Sequence, residues 1–289
     1  MAIDDGWAGA EAYEAYMGRW SRLVAAEFVD WLCPGSGIDW LDVGCGTGAL
    51  SRVILARADP ARVVGVDPSA SFVAMARALV DDPRATFLLG SATELPEPAG
   101  GGFRSVVSGL TLNFVPDAPA AIGAATAAAG PDGLVGAYVW DYAGRMELIR
   151  RFWDAAIELD PAAAVHDEGR RFPICAPEPL EHLFVGAGLV EVAVRAIDVP
   201  TRFADFEDYW RPFEAGTGPA PAYARSLSDA ARAALRERLR AALPSSGDGT
   251  VGMSARAWAV RGRVPTPNRS HWGAQQRAGA TRPRRRRGH

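Results

Sequence analysis

Trp40-Leu41-Asp42-Val43-Gly44-Cys45-Gly46-Thr47-Gly48 places three glycines in five positions directly behind an apolar run, with a carboxylate two residues ahead of the first. The run IDWLDVG (38–44) reads as a buried strand, and ALSRVILARA (49–58) behind the turn reads as a helix. Glycines at a strand-to-helix turn let the backbone approach a ligand closely. The stretch therefore predicts both a type of fold and a place for a ligand.

The same alternation continues on the C-terminal side. VVGVD (63–67), TFLLG (86–90), FRSVVSG (103–109) and GLVGAYVWD (133–141) read as strands; SASFVAMARALV (69–80) and AAIGAATAAAG (120–130) read as helices. Apolar strands alternating with helices predict right-handed βαβ units and a parallel sheet covered on both faces, a doubly wound α/β fold. On the N-terminal side, Tyr13, Tyr16, Trp20, Leu23, Val24, Phe28 and Trp31 recur at steps of three and four, a helix that should stop near Cys33-Pro34-Gly35. Beyond residue 144, 145–185 and 203–243 read as helical, with strands at GLVEVAVRAIDVP (188–200) and TVGMSARAWAVRG (250–262). From Val264 the chain is rich in Pro, Gly and Arg without periodicity, so 264–289 is expected to be a disordered tail on a domain spanning 1–263.

Charge and cysteine usage narrow the function. All 31 basic residues are arginine, and with seven of them in 264–289 the remaining body holds ten more acidic than basic side chains. Such a body argues against broad binding to nucleic acid or anionic membrane; PRRRRGH is the only hint of phosphate contact and reads as a solvated extension. Cys33, Cys45 and Cys175, like His166, His182, His271 and His289, lack metal-ligand spacing, which predicts neither disulfides nor a metal site and fits a reducing compartment. The first 20 residues lack an uninterrupted apolar core, and no apolar run reaches the ~18 residues of a membrane span, so a cytoplasmic protein is expected.

GCGTGA satisfies G-x-G-x-x-A, so a nicotinamide- or flavin-dependent oxidoreductase is one reading of the turn. Asp42 would repel a pyrophosphate there and attract an ammonium. Asp67, at the end of the second strand, can accept from ribose hydroxyls under either reading, and GSATELP (90–96) can meet an adenine edge. S-adenosylmethionine unites an amino-acid end, a ribose and an adenine.

The series WLDVGCGTG, VVGVDPS, FLLGSATELP and FRSVVSGLTLNFVPD resembles motifs I to IV of class I S-adenosylmethionine-dependent methyltransferases, in the small-molecule branch that includes ubiquinone and menaquinone methyltransferases. YEAYMGRWSR and ARAWAVRG also resemble a bacterial subgroup, so the likeness spans about residues 12–262. It implies a Rossmann-like seven-stranded sheet whose last strand, 250–262, runs antiparallel. It implies that Gly44, Cys45, Gly46 and Gly48 line the methionine and ribose, that Asp67 and Pro68 hold the ribose, and that Ser91, Ala92 and Thr93 flank the adenine. Ser108 would close the fourth strand at the cofactor, with Tyr16, Met17 and Arg19 folding over it. Ser91 stands where the family commonly offers an aspartate, and Asn113-Phe114 where many relatives place a histidine.

The implied activity is methyl transfer by in-line displacement to an O, N or C nucleophile of a small molecule; a non-catalytic S-adenosylmethionine-binding protein shares the same motifs. Tyr16, Asp141, His166 and Glu168 are the candidate bases. Helical caps at 145–185 and 203–243 would roof the acceptor; their Phe152, Trp153, Phe172, Phe206, Tyr209, Trp210 and Phe213 suit either an apolar, planar acceptor or the cap's own core.

Overall fold

The computed structural model describes residues 17–96, 102–215 and 218–266. Tyr13, Tyr16, His271, His289 and the run 284–287 of the arginine-rich tail lie outside them.

The first helix of the described residues, α1 (Arg19–Leu32), buries Trp20, Val24, Phe28 and Leu32 and ends in a left-handed Cys33. Leu23, expected on that apolar face, is exposed instead. The glycine turn joins β1 (Asp39–Val43) to α2 (Ala49–Arg57) as predicted, followed by β2 (Arg62–Asp67), α3 (Ala70–Leu79) and β3 (Ala85–Leu89). Ser69 caps α3 by accepting from the Phe72 amide, and Asp117 caps α4 (Ala118–Ala128) through the Ala120 amide. β4 (Phe103–Gly109) precedes α4, and β5 (Ala129–Trp140) follows it without a break. β5 thus starts four residues earlier than the sequence suggested. Gly130 and Pro131 do not end the helix in a loop, because Ala129 already pairs with Phe103 across a register shift in β4.

Seven strands form one sheet in the order β3-β2-β1-β4-β5-β7-β6, where β6 is Val190–Phe203 and β7 is Val251–Arg263. β1 to β5 are mutually parallel, and β7 is antiparallel to both β5 and β6, as the family resemblance implied. The chain steps outward from β1 through β2 to β3, then returns to β4 on the other side of β1. With right-handed crossovers, the two directions of travel put α2 and α3 on one face and α4 on the other. The loops leaving β1 and β4 therefore part, and the parting makes a crevice at the strands' carboxyl ends.

The later helices are α5 (Glu147–Leu159), α6 (Glu168–Arg171), α7 (Pro177–Gly186), α8 (Phe206–Ala215), α9 (Pro219–Ser226) and α10 (Asp229–Ala242). The expectation of one cap over 145–185 needs correcting, since α7 packs on β6, β7 and α4 and covers the sheet. The cap proper joins α5 and α6 to α8, α9 and α10. Phe152 and Phe213 stack at 4.5 Å, Trp153 meets Tyr223 at 5.4 Å, and the Tyr209 hydroxyl donates to Leu148 O. Phe152, Trp153, Tyr209, Trp210 and Phe213 are all buried there. Of the two uses open to these aromatics, they serve as the cap's own core.

Candidate functional site

Hydrogen bonding first ties the glycine turn to its neighbours. The amides of Gly44 and Cys45 both donate to Val66 O, at 2.7 and 3.0 Å, and the Gly48 amide donates to Cys45 O. The Gly46 amide donates to Asp67 Oδ2 at 2.9 Å, and the Ser69 amide to Asp67 Oδ1 at 2.9 Å. Four amides of the glycine turn that could have cradled an anion are thus engaged within the fold. Two of the glycines answer to different demands. Gly44 has φ +72°, and a Cβ there would overlap the Thr111 side chain, whose hydroxyl donates toward Gly44 O and Gly109 O. Gly46, at φ +52°, has nothing within 4 Å of where a Cβ would stand, so its backbone faces open space.

That space belongs to a cavity of about 450 Å³ over the tips of β1, β2, β4 and β5. At the β1–β2 end its wall includes Asp42, Thr47, Asp67, Pro68, Phe72 and Ala92, along with Ser91, Gly44, Cys45 and Gly46. At the β4–β5 end stand Thr111, Phe114, Val115, Tyr138, Trp140 and Tyr142, with Met17 and Ser21 of the N-terminal helical segment closing one side.

Asp42 is fully buried. Its Oδ2 accepts from Ser51 Oγ at 2.7 Å, while Oδ1 has no hydrogen-bond partner among the described residues. Burial pushes its pKa up to about 7, against the Ser51 hydrogen bond and with help from the Asp67 charge. A buried, half-satisfied carboxylate is costly unless a ligand completes it. Asp67 is also raised by burial, opposed by the amides of Ser69 and Gly46; each oxygen keeps acceptor capacity beyond its one amide. Cys45 is buried in the turn, and burial together with the two carboxylates holds it as a neutral thiol, which suits packing rather than nucleophilic attack.

Several predicted positions lie off the cavity wall. Gly48 packs toward Val80 and Phe87, and Thr93 bonds to Ser91 through both its amide and its hydroxyl. Ser108 faces Ala121 and Ile122 of α4 around a small void. Arg19, expected over the cofactor, turns away: its guanidinium stacks on Trp20 and Phe203 at 4.1 and 4.8 Å and reaches Asp208 at 3.4 Å. The Asp141 carboxylate accepts from the amides of Gly144 and Arg145 and closes the turn after β5. His166 sits in the cap beside Tyr223. Glu168 is buried against Trp153 Nε1, and burial pushes its pKa up to about 7. None of the described candidate bases lines the cavity.

The reading from residues alone missed Ser21, Phe72, Thr111, Tyr138 and Tyr142. Tyr138, Trp140 and Tyr142 recur at every second residue where β5 ends, the period that puts side chains on one face of a strand. That signal was available.

Residues 41–133 match the family model described as a methyltransferase domain. Over that stretch the chain is similar to the class I S-adenosylmethionine-dependent methyltransferases. Over 131 residues it is 31% identical to a nocamycin O-methyltransferase of Saccharothrix syringae, covering 44% of this chain and 46% of that protein. Over 105 residues it is 38% identical to a 2-phytyl-1,4-naphtoquinone methyltransferase of Thermosynechococcus vestitus, covering 36% and 44%. The match thus spans somewhat less than half the length of either curated methyltransferase. In fold, it resembles the Haemonchus contortus phosphoethanolamine N-methyltransferase 2 solved with S-adenosyl-L-methionine, at TM-score 0.57 and 18% identity over 91% of this chain and 58% of that one. Among the described residues, no helix is long and apolar enough to cross a membrane, and no group of three or more His, Cys, Asp or Glu is arranged to hold a metal ion.

Proposed function

We propose that this methyltransferase binds S-adenosylmethionine along the β1–β2 end of the cavity and methylates a small molecule held at the β4–β5 end. One observation carries the reading: Asp42, a fully buried carboxylate with one oxygen lacking a hydrogen-bond partner among the described residues, belongs to the wall of a cavity that a second carboxylate, Asp67, also lines. An ammonium and a ribose diol complete these groups, whereas a diphosphate would meet two negative charges and four amides already engaged. The glycine pattern shared with dinucleotide enzymes is thereby turned to another ligand.

Asp42 would hold the amino group, Asp67 the ribose hydroxyls, and Phe72, Ala92 and Ser91 would flank the adenine. Ser91 offers a hydroxyl without charge to the adenine edge. The bound cofactor supplies a methyl group on a positively charged sulfur with a good leaving group. The protein's share is alignment of the acceptor, exclusion of water, and a wall that does not compete for the methyl group. Cys45, held neutral, is a poor rival nucleophile.

Calorimetry with S-adenosylhomocysteine and with NADH tests this. Micromolar affinity for the first, about −8 kcal/mol, and far weaker binding of the second are expected. Asp67→Ala should cost at least ~1.5 kcal/mol of that affinity through loss of charge-assisted hydrogen bonds. Tight NADH binding with no uptake of S-adenosylhomocysteine would reverse the assignment.

A further inference from the structure

We infer that the acceptor is a planar ring compound bearing an acidic hydroxyl, taken up as its delocalised oxyanion; this rests on the methyltransferase reading above. The cavity is divided by charge. Both of its carboxylates stand at the β1–β2 end, whereas Met17, Phe114, Val115, Tyr138, Trp140 and Tyr142 at the other end are all uncharged. Four of these six are aromatic.

The rings are braced from behind. Phe172 of the cap meets Phe114 edge-on at 5.3 Å and Tyr142 at 5.9 Å, and Phe28 of α1 packs on Tyr138 at 4.8 Å. Trp140 is 2% exposed and Tyr142 3%. Aromatic side chains fixed in this way form a slot whose shape favours a flat guest. The nearest carboxylates by sequence are engaged elsewhere: Asp141 by the amides of Gly144 and Arg145, Asp117 by the amide of Ala120, and Glu147 by the amide of Ser254.

This wall discriminates by hydration cost. An alkylammonium or a compact carboxylate would leave water without gaining a charged partner. A phenolate or enolate spreads its charge over the ring and loses less. An alcohol that had to be deprotonated inside would need a carboxylate, imidazole or amine, and among the described residues none lines this end. An acidic hydroxyl gives its proton to water before entry. The acceptor oxygen's lone pair then forms the O–C bond as the methyl carbon's bond to sulfur breaks, with that electron pair remaining on sulfur. The products are a methyl ether and a neutral thioether. One negative and one positive charge vanish together, a change that a water-poor slot favours.

The test uses the full chain with para-nitrophenol, para-cyanophenol, phenol and the corresponding naphthols, and with hexylamine and hexanoate as charged, non-planar controls. With S-adenosylhomocysteine bound, titration by absorbance should show para-nitrophenolate taken up as the anion. Phe114→Ala and Tyr142→Ala should weaken that uptake at least about fivefold while leaving S-adenosylhomocysteine affinity within about twofold. In methyl transfer, the inflection of rate against pH should move with each acceptor's own acidity. An inflection that stays put across the series, preferential methylation of hexylamine or hexanoate, or no ring compound bound by a protein that binds S-adenosylhomocysteine would each overturn the inference. An equal loss of S-adenosylhomocysteine affinity in the two variants would overturn it too, by assigning those rings to the cofactor. Failure to bind S-adenosylhomocysteine at all would instead refute the methyltransferase reading.

Discussion

Asp42 is where stability and binding oppose each other most directly. Its folded-state pKa of about 7 lies above the ordinary carboxylate value of 3.8, so the folded protein holds a proton there that the unfolded chain has released. Folding stability from this group therefore falls as pH rises from about 4 to about 7. Asn at this position keeps an oxygen to accept from Ser51 Oγ and removes the buried charge. Asp42→Asn is accordingly expected to raise the stability of the ligand-free protein at pH 8 by about 1–3 kcal/mol, read from urea unfolding. The same change should weaken S-adenosylhomocysteine binding. In the wild-type protein, affinity should decline by about tenfold per pH unit below 7, because the proton on Asp42 must leave before the ammonium can pair with it. A flat affinity profile across pH 5–8 would remove Asp42 from the ammonium site. The sequence disclosed that a carboxylate stood beside the turn. Its burial and the vacant oxygen arise from Ser51 and from the strands on either side of β1, which no local pattern encodes.

Among elements, the N-terminal segment and α1 connect the cavity to the cap. Met17 and Ser21 line the cavity, while Arg19 between them points the other way, into Trp20, Phe203 and Asp208. Trp20 in turn meets Phe203 edge-on at 5.4 Å, so the start of the helix is fastened to the far end of β6 and to α8. The ion pair is about one-third exposed on both sides and contributes little alone, but stacking on two rings adds to it. Arg19→Ala should cost about 1–2 kcal/mol in denaturant unfolding, and Arg19→Lys should recover only a minor part, since an ammonium lacks the planar face. Full recovery by lysine would show that charge alone holds the helix. Helical spacing announced α1, yet that Arg19 would leave the cavity depended on Phe203, more than 180 residues away.

Across the fold, sheet and cap are continuous because β6 and β7 run on together past the strands they join. β7 pairs with β5 only from Ala257 to Arg263, while its remaining residues pair with β6 under the cap. α8, α9 and α10 are inserted between those two strands and pack on α5. Unfolding should therefore follow a single transition. Phe213→Ala, which removes the ring stacked on Phe152, should lower stability by about 3–5 kcal/mol without splitting it, as followed by fluorescence and far-ultraviolet circular dichroism together. Two separated transitions would show the cap folding by itself.

The layout of strands and helices was legible because it rests on periods of two and of three to four residues, which neighbouring side chains set by their own geometry. The glycine turn, Asp42 and Asp67 were legible for the same reason: each sits at the end of a strand whose apolar run marks where it stops. The antiparallel β7 came from resemblance, not from periodicity, since alternation carries no direction. Which rings wall the cavity and which fill the cap was decided only by packing. Phe152, Trp153, Tyr209, Trp210 and Phe213 lie in the right segments for a substrate roof but bury one another, whereas Tyr138, Trp140 and Tyr142 reach the cavity because β5 ends between β4 and β7. Burial of a side chain is a property of everything that surrounds it, and most of what surrounds these rings is distant along the chain.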